Sequence, residues 1–250
     1  MKVFAISDLH LSLNGGELRK PMDRFGEAWV GHHKNIAEDW GRRVDPADLV
    51  IVAGDLSWAS GLPVVKEDLQ WLHQLPGRKV LVKGNHDWWV PKTNVRAKLA
   101  SIMPSSIHVL HNDAVVIEDT LLFGTRLWVI PGLDFPVDWS AGESEAASAG
   151  DGTILQKEME RLRRSIAAAE QLAAQHPVTM RICVTHFPPT DFRKTSTEVT
   201  RLLSASRTDA CVFGHIHNLE PGANGFIMEG VRYYLTSCDY IGFRLLEIPV

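Results

Sequence analysis

Short apolar runs that stop abruptly at polar clusters set the rhythm of this chain. Val3–Ser7, Leu49–Ala53, Lys79–Val82, Arg181–Thr185 and Ala210–Phe213 all have this form. Their brevity and β-branched content favour buried strands over helices. Between them apolar residues recur at helical spacing, most clearly from Thr153 to Gln175, where Leu155, Met159, Leu162 and Ile166 fall on one face. Helices are also predicted over Glu17–Arg42, Leu62–Gln74, Lys92–Ser101 and Glu198–Ala205. His108–Leu127 reads as two or three consecutive strands, and Gly225–Ile248 as a strand meander turning at Glu229-Gly230. Alternating β and α units with a β-rich middle and end predict sheets covered by helices. One stretch, Pro131–Gly152, is rich in Gly, Ser, Ala, Asp and Glu and is expected to be an irregular surface loop, with a lid as the alternative. No internal repeat or linker divides the chain, so residues 1–250 are expected to form one domain.

Composition adds exclusions. No apolar run approaches the roughly 18 residues of a membrane helix. The opening Met1-Lys2-Val3-Phe4-Ala5-Ile6-Ser7-Asp8 has neither the apolar segment nor the cleavage site of a signal peptide, and reads as a first buried strand. A cytoplasmic protein is expected. Cys183, Cys211 and Cys238 are odd in number and widely spaced, as small buried hydrophobes of a reducing compartment would be. A net charge of −4 offers no basic footprint for duplex nucleic acid. It leaves a small phosphorylated substrate open, and a homo-oligomer as well.

The informative residues stand where the apolar runs end. Asp8-Leu9-His10 follows the first, Gly54-Asp55 the second and Gly84-Asn85-His86-Asp87 the third. Thr185-His186 and Gly214-His215-Ile216-His217 follow the last two. In open α/β sheets ligands gather at the carboxyl ends of strands, so these clusters can converge. Taken singly, each histidine reads as a cap or a packed structural residue, and Gly-Asn as a turn. The ordered conjunction changes the reading to a metal centre. Imidazole with carboxylate suits Mn, Fe, Zn or Co better than Ca or Mg. With few anionic ligands, two such ions would keep a net positive charge that attracts a phosphoester. No G-x-S-x-G elbow competes as a nucleophile site.

These fragments, in this order and spanning residues 8 to 217, resemble the calcineurin-like metallophosphoesterase superfamily. The resemblance implies a four-layer α/β/β/α sandwich of two mixed sheets, with a dinuclear site at the C-terminal ends of the strands. It places Asp8, His10 and His217 on one metal, Asn85, His186 and His215 on the other, and Asp55 between them. The ions implied are two divalent or trivalent transition metals (Mn, Fe or Zn). His86 matches the residue that assists the leaving oxygen, and Asp87 its orienting partner. The implied reaction is phosphoester hydrolysis by a metal-bound hydroxide, with a diester favoured over a monoester. Ser57 and Trp58 follow the bridging Asp where many members carry an acidic residue. The Arg of the protein Ser/Thr phosphatase branch is missing from Trp58-Ala59-Ser60. Within the superfamily the chain looks closer to compact bacterial members, which include phosphodiesterases and phosphohydrolases.

Three further side chains are candidates for substrate contact. Trp58 and Trp88 flank the motifs and could stack on a nucleobase or cover an acyl chain, against core packing as the plainer role. Arg126 could grip a phosphate or form an ion pair. The same weighing leaves Trp89 open, makes Phe187–Thr197 a rim loop, and treats His32, His33, His108 and His111 as surface or packing residues. Two rival functions remain: a single-strand nuclease, and a scaffold of the same fold without catalysis.

Overall fold

The computed structural model describes residues 1–135, 152–220, 222 and 224–249. The bulk of the irregular stretch expected as a loop or lid therefore lies outside the described residues. One sheet has the order β13 (Leu246–Ile248), β1 (Val3–Ile6), β4 (Leu49–Ala53), β5 (Arg78–Val82), β6 (Ile107–Val109). Its strands are parallel except for β13 at the edge. The other has the order β11 (Phe226–Met228), β12 (Val231–Leu235), β10 (Ala210–Phe213), β9 (Met180–Thr185), β8 (Thr120–Thr125), β7 (Ala114–Ile117). Here only the edge strands β7 and β11 run antiparallel to their neighbours.

The period-2 alternation of strand side chains divides each apolar run between two cores. Val3, Ala5, Leu49, Ile51 and Ala53 meet Leu122, Ile182, Val184, Ala210 and Val212 between the sheets. On the far side of the first sheet, Phe4, Ile6, Val50 and Val52 pack on α1 (His32–Arg43), α2 (Leu62–Gln74) and α3 (Val95–Ala100) through Ile36, Trp40, Leu69 and Leu99. On the far side of the second, Phe123, Cys183 and Cys211 pack on α4 (Gly152–Ala173) and α5 (Glu198–Ala205) through Met159, Leu162, Val199 and Leu203. The result is the four-layer α/β/β/α sandwich. All three cysteines are free and buried. None of the described helices is long and apolar enough to cross a membrane.

The segment expected as one long helix from Glu17 to Arg42 is broken. A small hairpin, β2 (Leu13–Asn14) with β3 (Glu17–Leu18), turns on Gly15-Gly16, both at positive φ. Two single 3₁₀ turns follow, and α1 begins only after Gly31, itself left-handed. Glycine and Pro21 interrupt the helical pattern, and local backbone freedom outweighs periodicity there. Consequently His32 and His33 occupy the first turn of α1 and are buried. His32 Nε2 lies 2.8 Å from the Leu9 carbonyl and Nδ1 3.1 Å from that of Trp29, so the ring fastens the helix start to the loop after β1. The predicted helix over Lys92–Ser101 shortens to α3. The strands of His108–Leu127 do not stay together: β6 closes the first sheet, and β7 and β8 begin the second. The C-terminal meander likewise parts, with β13 returning to the first sheet.

Candidate metal centre

The loops leaving β1, β4, β5, β9 and β10 meet at one end of the sandwich. Backbone bonds lace them together before any side chain is considered. Asp8 N donates to Gly54 O (2.9 Å), His10 N to Asp55 O (3.0 Å) and Gly214 N to His186 O (3.0 Å). Ser7 N donates to Thr236 O (2.8 Å), which ties the first sheet to the second at this point. The lacing forces Asp8, His10, Asp55 and His215 into the left-handed region, with φ of 59°, 48°, 52° and 73°. Non-glycine residues rarely sit there, and such strain collects at functional sites.

Glycines preceding the ligand positions let the side chains crowd. A Cβ on Gly54 would strike the ring of His186, and one on Gly84 the Asp55 carboxylate. One on Gly214 would strike the Ser7 hydroxyl and the Asp8 carboxylate.

Two groups of donor atoms converge in this space. Asp8, His10 and His217 form one, with His10 Nε2 3.4 Å from His217 Nε2 and His217 Nε2 3.5 Å from Asp8 Oδ1. Asp8, Asp55 and His186 form the other, with His186 Nε2 3.4 Å from Asp55 Oδ2. Asn85 Oδ1 joins the second group, 2.7 Å from His186 Nε2 and 3.1 Å from His215 Nδ1. Asp55 Oδ2 also lies 4.0 Å from His10 Nε2, so it stands between the groups. Two donors sharing one ion at about 2.1 Å sit roughly 3.0–3.4 Å apart. Facing imidazole nitrogens at such a spacing fit a shared cation better than they fit each other. Imidazole, carboxylate and amide oxygen together form a donor set for borderline transition metals.

The electrostatics of the protein alone point the same way. Burial pushes the Asp8 carboxyl up, but the hydrogen bond and charge of His217 and the charge of His186 hold it well below the usual carboxylate range. Burial likewise opposes ionisation of Asp55, and His186, His10 and His86 overcome it. Burial acts on His186 too, yet Asp55 and Asp8 raise it to about 9. His217 is lifted well above the usual value against its burial, chiefly by Asp239 and Asp8. His10 goes the other way, down to about 3, because burial dominates. The centre thus keeps two buried carboxylates charged and lets protons on His186 and His217 stand where metal charge would act.

Each sequence-predicted metal ligand, Asp8, His10, Asp55, Asn85, His186, His215 and His217, lies in this cluster. His86 stands at its mouth. Its backbone N–H donates to Asp55 Oδ1 (2.8 Å), and its Nε2 is 3.9 Å from Asp55 Oδ2. Asp87, expected to orient it, is engaged elsewhere. The turn sends consecutive side chains opposite ways, and the buried Asp87 carboxylate accepts from Gly84 N (2.8 Å), Ser57 N (3.1 Å) and Trp89 Nε1 (2.8 Å). Asp87 therefore braces the ligand loops from beneath, and burial together with the charge of Asp55 pushes its carboxyl upward. Arg126 also differs from its proposed phosphate role. Its carbonyl accepts from His186 N, but its guanidinium pairs with buried Glu158 (3.2 Å) and lies over Trp128.

The aromatic residues form a wall. Trp58 stacks on His10 at 4.8 Å and leans on His86 at 4.2 Å. Trp88 meets His86 edge-on at 5.7 Å and is half exposed, whereas Trp89 is buried. The segment after His186 is a braced rim: Phe187 packs on His215 at 4.0 Å, and Asp191 accepts from Thr195 N and Oγ1. Two members were not predicted. Trp29 lies 5.9 Å from His217. Asp239 accepts from His217 Nδ1 (3.0 Å) and Asn218 N (2.9 Å). The polar cluster at the end of β12, Thr236-Ser237-Cys238-Asp239, carries the same signal as the other ligand loops.

A profile of the calcineurin-like phosphoesterase family matches residues 1–219. The chain belongs to that family. Its members are metallophosphoesterases, which work with divalent metal ions. Among curated proteins, the metallophosphoesterase is 38% identical over 87 residues to the Gene 66 protein of Mycobacterium phage D29. That match covers 34% of the chain and spans only 40% of the phage protein's length. Two solved structures share its fold at 15% identity. One is phosphopantetheinyl hydrolase (PptH) from Mycobacterium tuberculosis, with a TM-score of 0.52 over 99% of this chain and 95% of that one. The other is TT1561 of Thermus thermophilus, with a TM-score of 0.54 over 99% and 97%.

Proposed function

We propose that this metallophosphoesterase hydrolyses a small phosphodiester at a dinuclear centre. The carrying observation is the placement of Asp55 Oδ2 between two groups of donors, one around Asp8, His10 and His217, the other around Asn85, His186 and His215. Asp8, His10, His217 and Asp55 would hold one ion, and Asn85, His186, His215 and Asp55 the second, as Mn, Fe or Zn. When bound, such ions polarise phosphoryl oxygens and make water acidic enough to attack near neutral pH. The protein's own share is geometric and electrostatic. The Asp8 and Asp55 carboxylates arrive ionised, and the strained backbone pre-aligns them before substrate enters. His86, at the mouth, is the group in reach of a leaving oxygen and supplies it with a proton.

Preference for a diester is supported by Arg126. A monoester dianion asks for additional cationic complement, and that guanidinium is turned to Glu158. The acidic net charge argues for a small substrate over a nucleic acid strand, and three free, buried cysteines suit a reducing, cytoplasmic compartment.

The test is turnover of bis-p-nitrophenyl phosphate and p-nitrophenyl phosphate by chelator-stripped protein, with and without Mn²⁺. Mn-dependent hydrolysis faster on the diester supports the reading. Tight uptake of metal with no turnover of either compound defeats it in favour of a scaffold.

A further inference from the structure

Around His86, at the mouth of the cluster, two indoles and an ammonium stand together. Trp58 and Trp88 meet edge to face at 5.8 Å, and His86 touches both. Trp88 is 52% exposed. The Lys20 ammonium lies over both rings, 5.3 Å from the centre of Trp58 and 5.8 Å from that of Trp88. That position is built. Lys20 follows the β2–β3 hairpin, its N–H donates to Ser12 Oγ (2.9 Å), and the hairpin is pinned to α2 by Leu13 N on Asp68 Oδ1 (2.7 Å).

We propose, resting on the reading above, that Trp88 and Trp58 receive a nucleobase, with Lys20 beside it, so that the substrate is a nucleoside phosphate ester whose nucleoside departs past His86. A half-exposed indole such as Trp88 offers sequence-tolerant stacking to a base, with the Lys20 ammonium at the edge of the stack. The lysine decides against the chief alternative, an acyl or other aliphatic leaving group. Covering its ammonium with hydrocarbon would strip its hydration without return, whereas a base with its attached sugar and phosphate offers acceptors to it. His86 stands between Trp88 and the metal cluster, and this sets the order along the substrate: phosphorus at the cluster, ester oxygen at His86, base on Trp88.

The test is calorimetric binding of adenosine 5′-phosphorothioate, chosen to resist hydrolysis, and of inorganic thiophosphate to Mn-loaded protein, with Trp88→Ala and Lys20→Met alongside. Roughly 10-fold or tighter binding of the nucleotide is expected, the worth of one stacked base. Trp88→Ala should bring the ratio of the two affinities close to one, and Lys20→Met should lower it in part. Equal binding of both anions by the unaltered protein overturns the nucleobase site while leaving the phosphoesterase reading standing. A ratio that survives Trp88→Ala overturns it as well. Failure of both anions to bind a protein that holds Mn overturns the two together.

Discussion

Nδ1 of His217 stands 3.0 Å from Oδ1 of Asp239, while Nε2 of the same ring faces Asp8 Oδ1 at 3.5 Å. The ring is thus clamped between one carboxylate that orients it and another that shares its prospective ion. A histidine held in this way presents a fixed tautomer and a more basic nitrogen to a metal. Asp239→Asn should weaken Mn binding about 10- to 100-fold while the melting temperature of the metal-free protein barely moves. Unchanged Mn affinity in that variant would remove Asp239 from the centre.

Asp55 and His86 separate metal holding from proton delivery. Asp55→Ala should lose at least one equivalent of metal and all measurable turnover. His86→Ala should keep both metals and lose about 10²- to 10⁴-fold in kcat. Metal analysis with kinetics on the two variants checks this, and wild-type kcat in His86→Ala would refute the assignment.

The glycine beside Asn85 is a packing requirement and not merely a turn. Gly84→Ala would set a methyl group against the Asp55 carboxylate. Such crowding costs about 1–3 kcal/mol and should displace a bridging ligand, so metal occupancy falls along with the melting temperature. Gly41→Ala is the control. It is an exposed position of α1 with no neighbour within 4 Å of the added atom, and should stabilise by up to about 1 kcal/mol.

The ligand loops were legible in the sequence because two simple constraints coincide there. Strands β1, β4, β5, β9 and β10 are too short and too apolar to be anything else, and polar residues such as Asp55 and His186 follow them immediately. What periodicity missed lies where glycine governs the backbone. Gly15, Gly16 and Gly31 cut the expected helix before His32 and so deliver Lys20 and Trp29 to the site. Direction of side chains was equally hidden. Asp87 and His86 are neighbours in sequence, yet one points into the core and the other to the mouth. The pull of Glu158 on Arg126 comes from α4, a partner that sequence spacing cannot reveal.

Asp68 gives a pH signature outside the metal ligands. It is buried, accepts from Ser57 Oγ and Leu13 N, and thereby couples the hairpin that carries Lys20 to the loop beneath Asp55. Burial raises its carboxyl to about 6, with the two hydrogen bonds opposing. The unfolded chain would release this proton near the ordinary value, so the folded state binds it more tightly between the two. The stabilising contribution of Asp68 is therefore complete below about pH 4 and is lost as pH rises through about 6. The largest loss is about 3 kcal/mol for a shift of roughly two pH units. Asp68→Asn keeps the acceptor for Leu13 and cannot ionise. Melting temperatures of the metal-free wild type and variant should therefore diverge between pH 4 and 7, with the variant gaining as pH rises. Parallel curves over that range would show that Asp68 is held ionised throughout.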